Sequence, residues 1–266
     1  MITSTSNPRI RRVVQLQKQA KARREAGVFV VEGRKMCGEA PKDRIEEIYL
    51  SESYVKEYGM AEWEGREAFG GRRVFVEVVS DHVFKAISDT MTPQGILAVI
   101  KRSSIGVEAM LASADPVHLV LLENLQDPGN LGTILRTAEG AGVTGVIMSE
   151  DTVDVYNPKV IRSTMGSLYR VPFLIVPDLK ETVRQLRGQG ICCYAAALQE
   201  SCDYVEPDYR RPTAFIIGNE GNGLTEAMIQ TADQTVRIPM QGQVESLNAS
   251  MAAGLLMYEA FRQRRS

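Results

Sequence analysis

The sequence predicts an α/β protein of two domains, the second organised on a mostly parallel sheet. In the second half, apolar runs at 117–123, 143–149, 171–176, 191–198, 213–218 and 234–238 alternate with stretches of helical periodicity. Strands that alternate with helices pair in parallel through helical crossovers. The first hundred or so residues carry their own strand and helix signals. A chain of 266 residues that is 44% hydrophobic therefore divides into two units of ordinary size, each able to bury a core.

Taken in order, residues 8–25 read as one helix, followed by an alternating strand at 28–33. Further strands are expected at 45–50, 74–79 and 95–100, with helical or irregular pieces between them. Pro41 interrupts the helix that should follow Gly33. Trp63, set among charges and glycines, reads as the anchor of a loop or short helix. Thr92-Pro-Gln-Gly95 reads as a turn into the last strand. These elements make a first domain over residues 1–102. Apolar periodicity fades after Lys101, which puts a linker at 103–115, and the second domain occupies 116–266 and closes on a helix from about 246 to 264.

The second domain is organised around the segment after its first strand. The chain turns at Asp127-Pro128-Gly129, and a helix begins with Asn130 as its expected N-cap. Leu131, Ile134, Leu135 and Ala138 recur at i, i+3, i+4 and i+7 and should face a core, leaving Thr133, Arg136 and Thr137 on the other side. Free backbone donors at a helix start, with a guanidinium nearby, suit a phosphate or other polar ligand. An ordinary strand–turn–helix with a solvated Arg is the alternative.

Two further loops place glycines and polar residues where strands end. Phe215-Ile-Ile-Gly-Asn-Glu-Gly-Asn-Gly-Leu224 has glycines at 218, 221 and 223, which is not the dinucleotide spacing Gly-x-Gly-x-x-Gly. The glycines let backbone approach a flat ligand, while Glu220 would repel a pyrophosphate. In the last loop, Pro239 ends a strand, and Ser246 and Asn248 can cap the terminal helix. Leu247, Met251, Leu255, Tyr258 and Phe261 then form an apolar stripe for core or subunit packing.

Composition narrows the chemistry. The formal charge is −2, yet residues 1–24 hold Arg9, Arg11, Arg12, Lys18, Lys21, Arg23 and Arg24 and no acid, a cluster able to track a phosphate backbone. With only His82 and His118, a His-rich metal site is excluded and a Ser-His-Asp triad is disfavoured. Cys37, Cys192, Cys193 and Cys202 lack Cys-x-x-Cys spacing and read as reduced, buried thiols. No run approaches a membrane span, so a cytoplasmic protein without a metal is expected.

Together the three loops resemble the signature motifs of the SpoU/TrmH family, RNA ribose 2′-O-methyltransferases of the SPOUT class. The matching text is Asp127-Pro-Gly-Asn-Leu-Gly-Thr-Ile-Leu-Arg-Thr-Ala138, then Gly218-Asn-Glu-Gly-Asn-Gly-Leu224, then Ile238-Pro-Met-x-Gly with Ser246-Leu-Asn248. The first half is similar to the family's substrate-binding domain of L30e-like fold, through Thr3-Ser4, Asn7-Pro8, Val30-Val31-Glu32-Gly33 and Thr92-Pro-Gln-Gly-Ile-Leu-Ala98. The resemblance implies an N-terminal L30e-like α/β domain and a C-terminal SPOUT domain with a deep trefoil knot. It also implies a homodimer whose interface helps form the active site.

The resemblance further implies that S-adenosylmethionine binds at Gly218, Ile238 and Leu247, with Leu198 and Met240 beside them. Arg136, Asn130, Glu220, Ser246 and Asn248 become the catalytic set. The basic N-terminal segment becomes an RNA backbone clamp. A free guanidinium is almost never deprotonated, so Arg136 is expected to grip the phosphate beside the target ribose while the hydroxyl proton leaves through that phosphate or a nearby acceptor. Ribosomal RNA is the expected substrate, with transfer RNA second. A non-catalytic RNA-binding assembly factor that kept the fold is the competing reading.

Overall fold

Asn7 and Pro8 start the first helix as their chemistry favours. The Asn7 side chain accepts from the Arg9 backbone N–H at 2.9 Å, and Pro8 takes the first helical position, where its missing N–H costs nothing. The helix α1 (Pro8–Lys18) turns Ile10, Val13 and Leu16 inward. The single helix expected over 8–25 is in fact two, because Gln19 is extended (φ −122°, ψ 113°) and α2 (Ala20–Ala26) starts anew, ending at left-handed Gly27. Arg23 stabilises the break. Its buried guanidinium donates to the carbonyls of Leu16 at 2.6 Å and Gln17 at 2.9 Å, acceptors that the end of α1 leaves open.

The computed structural model describes residues 1–65, 69, 71–103, 105–112 and 114–265. They form two compact units, one of Met1–Ser103 with Tyr156–Tyr169, the other of Ser104–Val155 with Arg170–Ser266. In the first unit β1 (Val28–Glu32), β2 (Ile45–Ser51), β3 (Phe75–Val79) and β4 (Ile96–Lys101) make a sheet of order β1-β4-β2-β3. Only β2 and β3 run parallel. The short α3 (Arg34–Gly38), α4 (Glu52–Tyr58) and α5 (Asp81–Ile87) connect the strands. Val28 and Val30 of β1 join Leu97 and Val99 of β4 against Ile10, Val13, Leu16, Val83 and Phe84. Trp63 is buried as the expected anchor, its Nε1 donating to the Tyr54 hydroxyl at 3.3 Å.

The segment 156–169, which lies in the half of the chain expected to form the second domain alone, packs with the first unit. It carries α8 (Pro158–Thr164), capped by Asn157. The Tyr156 ring meets Phe29 of β1 at 4.5 Å, and the Tyr169 hydroxyl donates to the Met36 carbonyl at 2.9 Å.

The second unit contains β5 (His118–Leu122), α7 (Pro128–Gly140), β6 (Gly145–Ser149), β7 (Phe173–Val176), α9 (Leu179–Gly188), β8 (Cys192–Ala196), β9 (Cys202–Asp203), β10 (Thr213–Ile217), α10 (Glu226–Ile229), β11 (Gln234–Arg237) and α11 (Ala249–Arg265). Its seven strands lie in the order β7-β6-β5-β10-β8-β11-β9, and every pairing is parallel. The core is apolar side chains of the strands and α9, among them Leu119, Leu121, Ile147, Ile216, Val183 and Leu186. Within the expected linker, α6 (Val107–Leu111) buries Met110 in this core, and a Cβ on Gly145 would stand 2.2 Å from the Met110 sulfur. Arg264 fastens the end of α11 by donating to the carbonyls of Pro116, Val117, Tyr209 and Arg211.

Candidate active site

β5 and β10 are neighbours at the centre of the sheet, with β6 and β7 on one flank and β8, β11 and β9 on the other. Open parallel sheets take ligands beyond the carboxyl ends of their strands at such a switch in order. A cleft of about 190 Å³ opens beside that switch, beyond the ends of β10, β8 and β11, lined by Leu198 after β8, Gly218 and Glu220 after β10, Ile238 and Met240 after β11, and Ser246 and Leu247 before α11. The residues expected to hold the cofactor thus line one cleft. Its walls are mostly apolar side chains and backbone. The cation in its lining, Arg237, is engaged by Asp203 at 2.9 Å and the Ser201 carbonyl at 2.6 Å. Such a cleft fits a flat base and a thioether-like chain, and lacks the free cations a pyrophosphate would require. Among the described residues, no cluster of His, Cys, Asp or Glu could hold a metal.

The glycines of the second loop serve mainly the loop itself. Asn219 and Gly223 exchange backbone hydrogen bonds at 3.0 and 2.9 Å, and a Cβ on Gly218 would lie 2.2 Å from the Gly223 carbonyl carbon. Gly223 closes the loop in the left-handed region (φ 68°). Asn219 fills the interior, with its side-chain oxygen accepting from the N–H groups of Gly221 and Asn222 and its Nδ2 donating to the Asn124 carbonyl. Below, the buried Glu123 carboxylate accepts from the N–H and hydroxyl of Thr225, both at 2.8 Å.

The first loop corrects the expected cap. Asp127, not Asn130, is the N-cap of α7, accepting from Asn130 N at 2.8 Å, with Pro128 next in the helix. Asn130 sits one turn inside the helix with its side chain free for a longer reach. Asn130 Nδ2 donates to Glu220 at 3.0 Å, and its oxygen accepts from Asn248 Nδ2 at 2.9 Å. Glu220 also accepts from the N–H groups of Gln126 at 2.9 Å and Asp127 at 2.8 Å. Burial alone would raise the Glu220 pKa, but these donors outweigh it and hold the carboxyl below its ordinary value. Asn248 also caps α11, accepting from Ser250 N at 2.9 Å, so the capping role expected of Ser246 or Asn248 falls to Asn248. All three loops are therefore tied together by Asn130, Glu220 and Asn248.

Arg136 is outside that network. It is exposed on α7 and makes no hydrogen bond or ion pair with the described residues. Beside it lies the exposed face of α11, where Met251 and Tyr258 stand out and the Tyr258 hydroxyl is 2.9 Å from the position of a Cβ on Gly140. The stripe expected along α11 is thus not core of this chain, whose buried residues there are Ser250, Ala253, Leu256, Met257, Glu259 and Ala260. The basic N-terminal cluster also splits. Arg9, Arg11, Lys18, Lys21 and Arg24 are exposed, but Arg12 pairs with Glu47 at 2.5 Å and Arg23 is the buried cap of α1, so neither belongs to a free basic face. Glu123, Asn124, Gln126 and Asn219 also brace the site, and none of them is among the site residues expected from the sequence. Their signal was a run of polar residues just past apolar strand ends.

The chain matches the SpoU rRNA Methylase family over residues 117–258 and the MRM3-like substrate binding domain over residues 7–98. It is 34% identical to the 23S rRNA (guanosine(2553)-2′-O)-methyltransferase RlmP of Bacillus subtilis, over 90% of each chain. Among solved structures, it resembles an AdoMet-bound rRNA methyltransferase from Sinorhizobium meliloti with a TM-score of 0.84 at 30% identity, over 98% of this chain and 97% of that one. The SpoU methyltransferase AviRb from Streptomyces viridochromogenes matches with a TM-score of 0.83 at 28% identity, over 97% and 98%.

Proposed function

The chain belongs to the SpoU rRNA methylase family, and from that premise we propose that it moves a methyl group from S-adenosylmethionine to a ribose 2′-hydroxyl of ribosomal RNA, in the cytoplasm. The observation that carries the reading is the hydrogen-bonded chain Asn248–Asn130–Glu220, which joins the cofactor cleft to the start of α7. The RNA named for RlmP is 23S rRNA, and the same class is the substrate proposed here.

Gly218, Ile238 and Leu247, with Leu198 and Met240, would hold the cofactor against the cleft wall. S-adenosylmethionine supplies, when bound, a methyl group on a positively charged sulfur, open to in-line displacement. With it held there, the ribose oxygen would displace the sulfur from that carbon, the bonding pair leaving with the sulfur, and the part of the chain is to align the two. Arg136 grips the phosphate next to the target ribose, and the hydroxyl proton passes to a phosphate oxygen. Glu220 is not the base, because its hydrogen bonds from Asn130 and from the loop before α7 stabilise the charged carboxylate and lower its affinity for a proton. Asn130 and Asn248 orient the approaching ribose.

Arg136 lies six residues beyond Asn130, about 240° around the helix, so one subunit does not aim both side chains the same way. A homodimer resolves this. The face bearing Arg136, Met251 and Tyr258 packs on a second copy and carries Arg136 towards the partner's cleft. The deep knot is part of the same reading, supported by the return of the chain after β11 to lay α11 on α7 and β10. Calorimetric titration with S-adenosylmethionine tests the proposal against a non-catalytic RNA-binding factor. Saturable binding, lost when Gly218 is replaced by Val, is expected, and no heat of binding would refute it.

A further inference from the structure

The first unit holds a cavity of about 960 Å³ that the function above does not use. That volume lies in the range of roughly 300–1,000 Å³ seen for pockets that enclose small organic ligands. Its rim carries a guanidinium laid over an aromatic ring. The Arg34 guanidinium lies 4.0 Å over the Tyr58 ring, and Tyr58 in turn meets Tyr54 at 5.1 Å between centroids. Arg34 is exposed and lines the cavity. Lys35 and Lys85 stand on the same rim.

Three carboxylates share the basin. Asp81 is taken up by the Ser53 N–H at 3.1 Å and hydroxyl at 2.6 Å, and Glu57 and Glu62 are the other two. The balance with the three cations is near neutral. A bare phosphate gains little there, whereas a nucleobase gains by stacking on a planar cation.

One edge of the basin is the turn that leads into β4. The Glu32 carboxylate accepts from the hydroxyls of Ser88 at 2.6 Å and Thr90 at 2.7 Å and from Asp89 N at 3.0 Å, and Gln94 accepts from Arg34 N at 2.8 Å. Fastened on both sides, this loop holds Met91 out with 96% of its surface exposed. A large apolar side chain on a fixed loop suits insertion between bases.

Resting on the reading of this chain as an RNA methyltransferase, we propose that the basin receives one unpaired nucleotide of the RNA substrate. Its base stacks on Arg34, and Met91 fills the gap left in the RNA helix. Sequence-specific recognition of RNA commonly works on such splayed-out bases.

The test uses the full-length protein and two fluorescein-labelled RNA hairpins, identical except that one carries a single unpaired adenosine in its stem. Fluorescence anisotropy at one fixed salt concentration should give at least about tenfold tighter binding to the bulged hairpin. Tyr58→Phe should keep that preference. Arg34→Lys, which keeps the charge and loses the plane, should abolish it while calorimetric binding of S-adenosylmethionine is unchanged. Equal affinity of the wild-type protein for both hairpins, binding to neither, or a preference retained in Arg34→Lys would overturn the proposal. If the preference holds but no methyl reaches ribosomal RNA, the failure lies with the catalytic reading and not with the basin.

Discussion

The Glu220 carboxylate accepts from two backbone N–H groups and from Asn130, and each of those donors favours its charged form. It acts as a brace between the loop after β10 and the start of α7. Arg136 makes no hydrogen bond or ion pair with the described residues and, in the function proposed above, meets the substrate. The two residues should therefore fail differently. Arg136→Ala is expected to lower kcat by about 100- to 1,000-fold with the S-adenosylmethionine Kd unchanged. Glu220→Gln puts an amide donor among donors and should raise that Kd as well as lower kcat. Equal, purely kinetic losses in both variants would contradict the brace. His118 gives a separate test. Buried in β5 with no partner for Nε2, it is pulled down to about 3 by burial and by nearby Arg264. The unfolded chain takes up this proton below about pH 6.5, whereas the folded protein resists it until about pH 3. Stability should therefore fall by about 1.4 kcal/mol per pH unit as pH drops across that window, through this group alone. In urea unfolding, His118→Phe should show a flatter acid limb, and an unchanged limb would contradict the assignment.

At the level of elements, the strands were legible because apolar runs bounded by turns leave few other options. The expected runs at 213–218 and 234–238 became β10 and β11 almost unchanged. Helix ends were less legible. Asn130 and Asp127 are both good caps, and Pro128, which favours the first helical position, decides for Asp127. The break at Gln19 has no local breaker at all and depends on buried Arg23, a tertiary contact that periodicity cannot register. The α11 stripe shows the same limit from the other side. Its spacing is apolar, but the core takes the neighbouring face with Ser250, Ala253, Leu256, Met257 and Ala260, leaving Met251 and Tyr258 outside. If that face is the dimer contact, Tyr258→Asp should convert a dimer to a monomer in analytical ultracentrifugation and cost activity. A wild-type protein that sediments as a monomer at micromolar concentration would remove the dimer from the account.

Across the whole molecule, the candidate site was legible in outline because its three loops each follow a strand, and strand ends in a parallel sheet meet on one edge. Its internal wiring was not. Which side chain bonds which depends on loop closure, as in the Asn219–Gly223 pair, and on residues such as Glu123 that read as ordinary strand ends. Nor could spacing reveal that 156–169 packs with the first unit, since short helices carry no label for the core they join. The cleft, the braced loops and the free Arg136 converge, in the proposed function, on methyl transfer to a ribose oxygen. The most direct measurement is mass spectrometry of nucleosides from unmodified ribosomal RNA incubated with the protein and S-adenosylmethionine carrying a deuterated methyl group. The account predicts one 2′-O-methylated nucleoside bearing the label, absent with Arg136→Ala. Label on a base, or in no nucleoside at all, would contradict it.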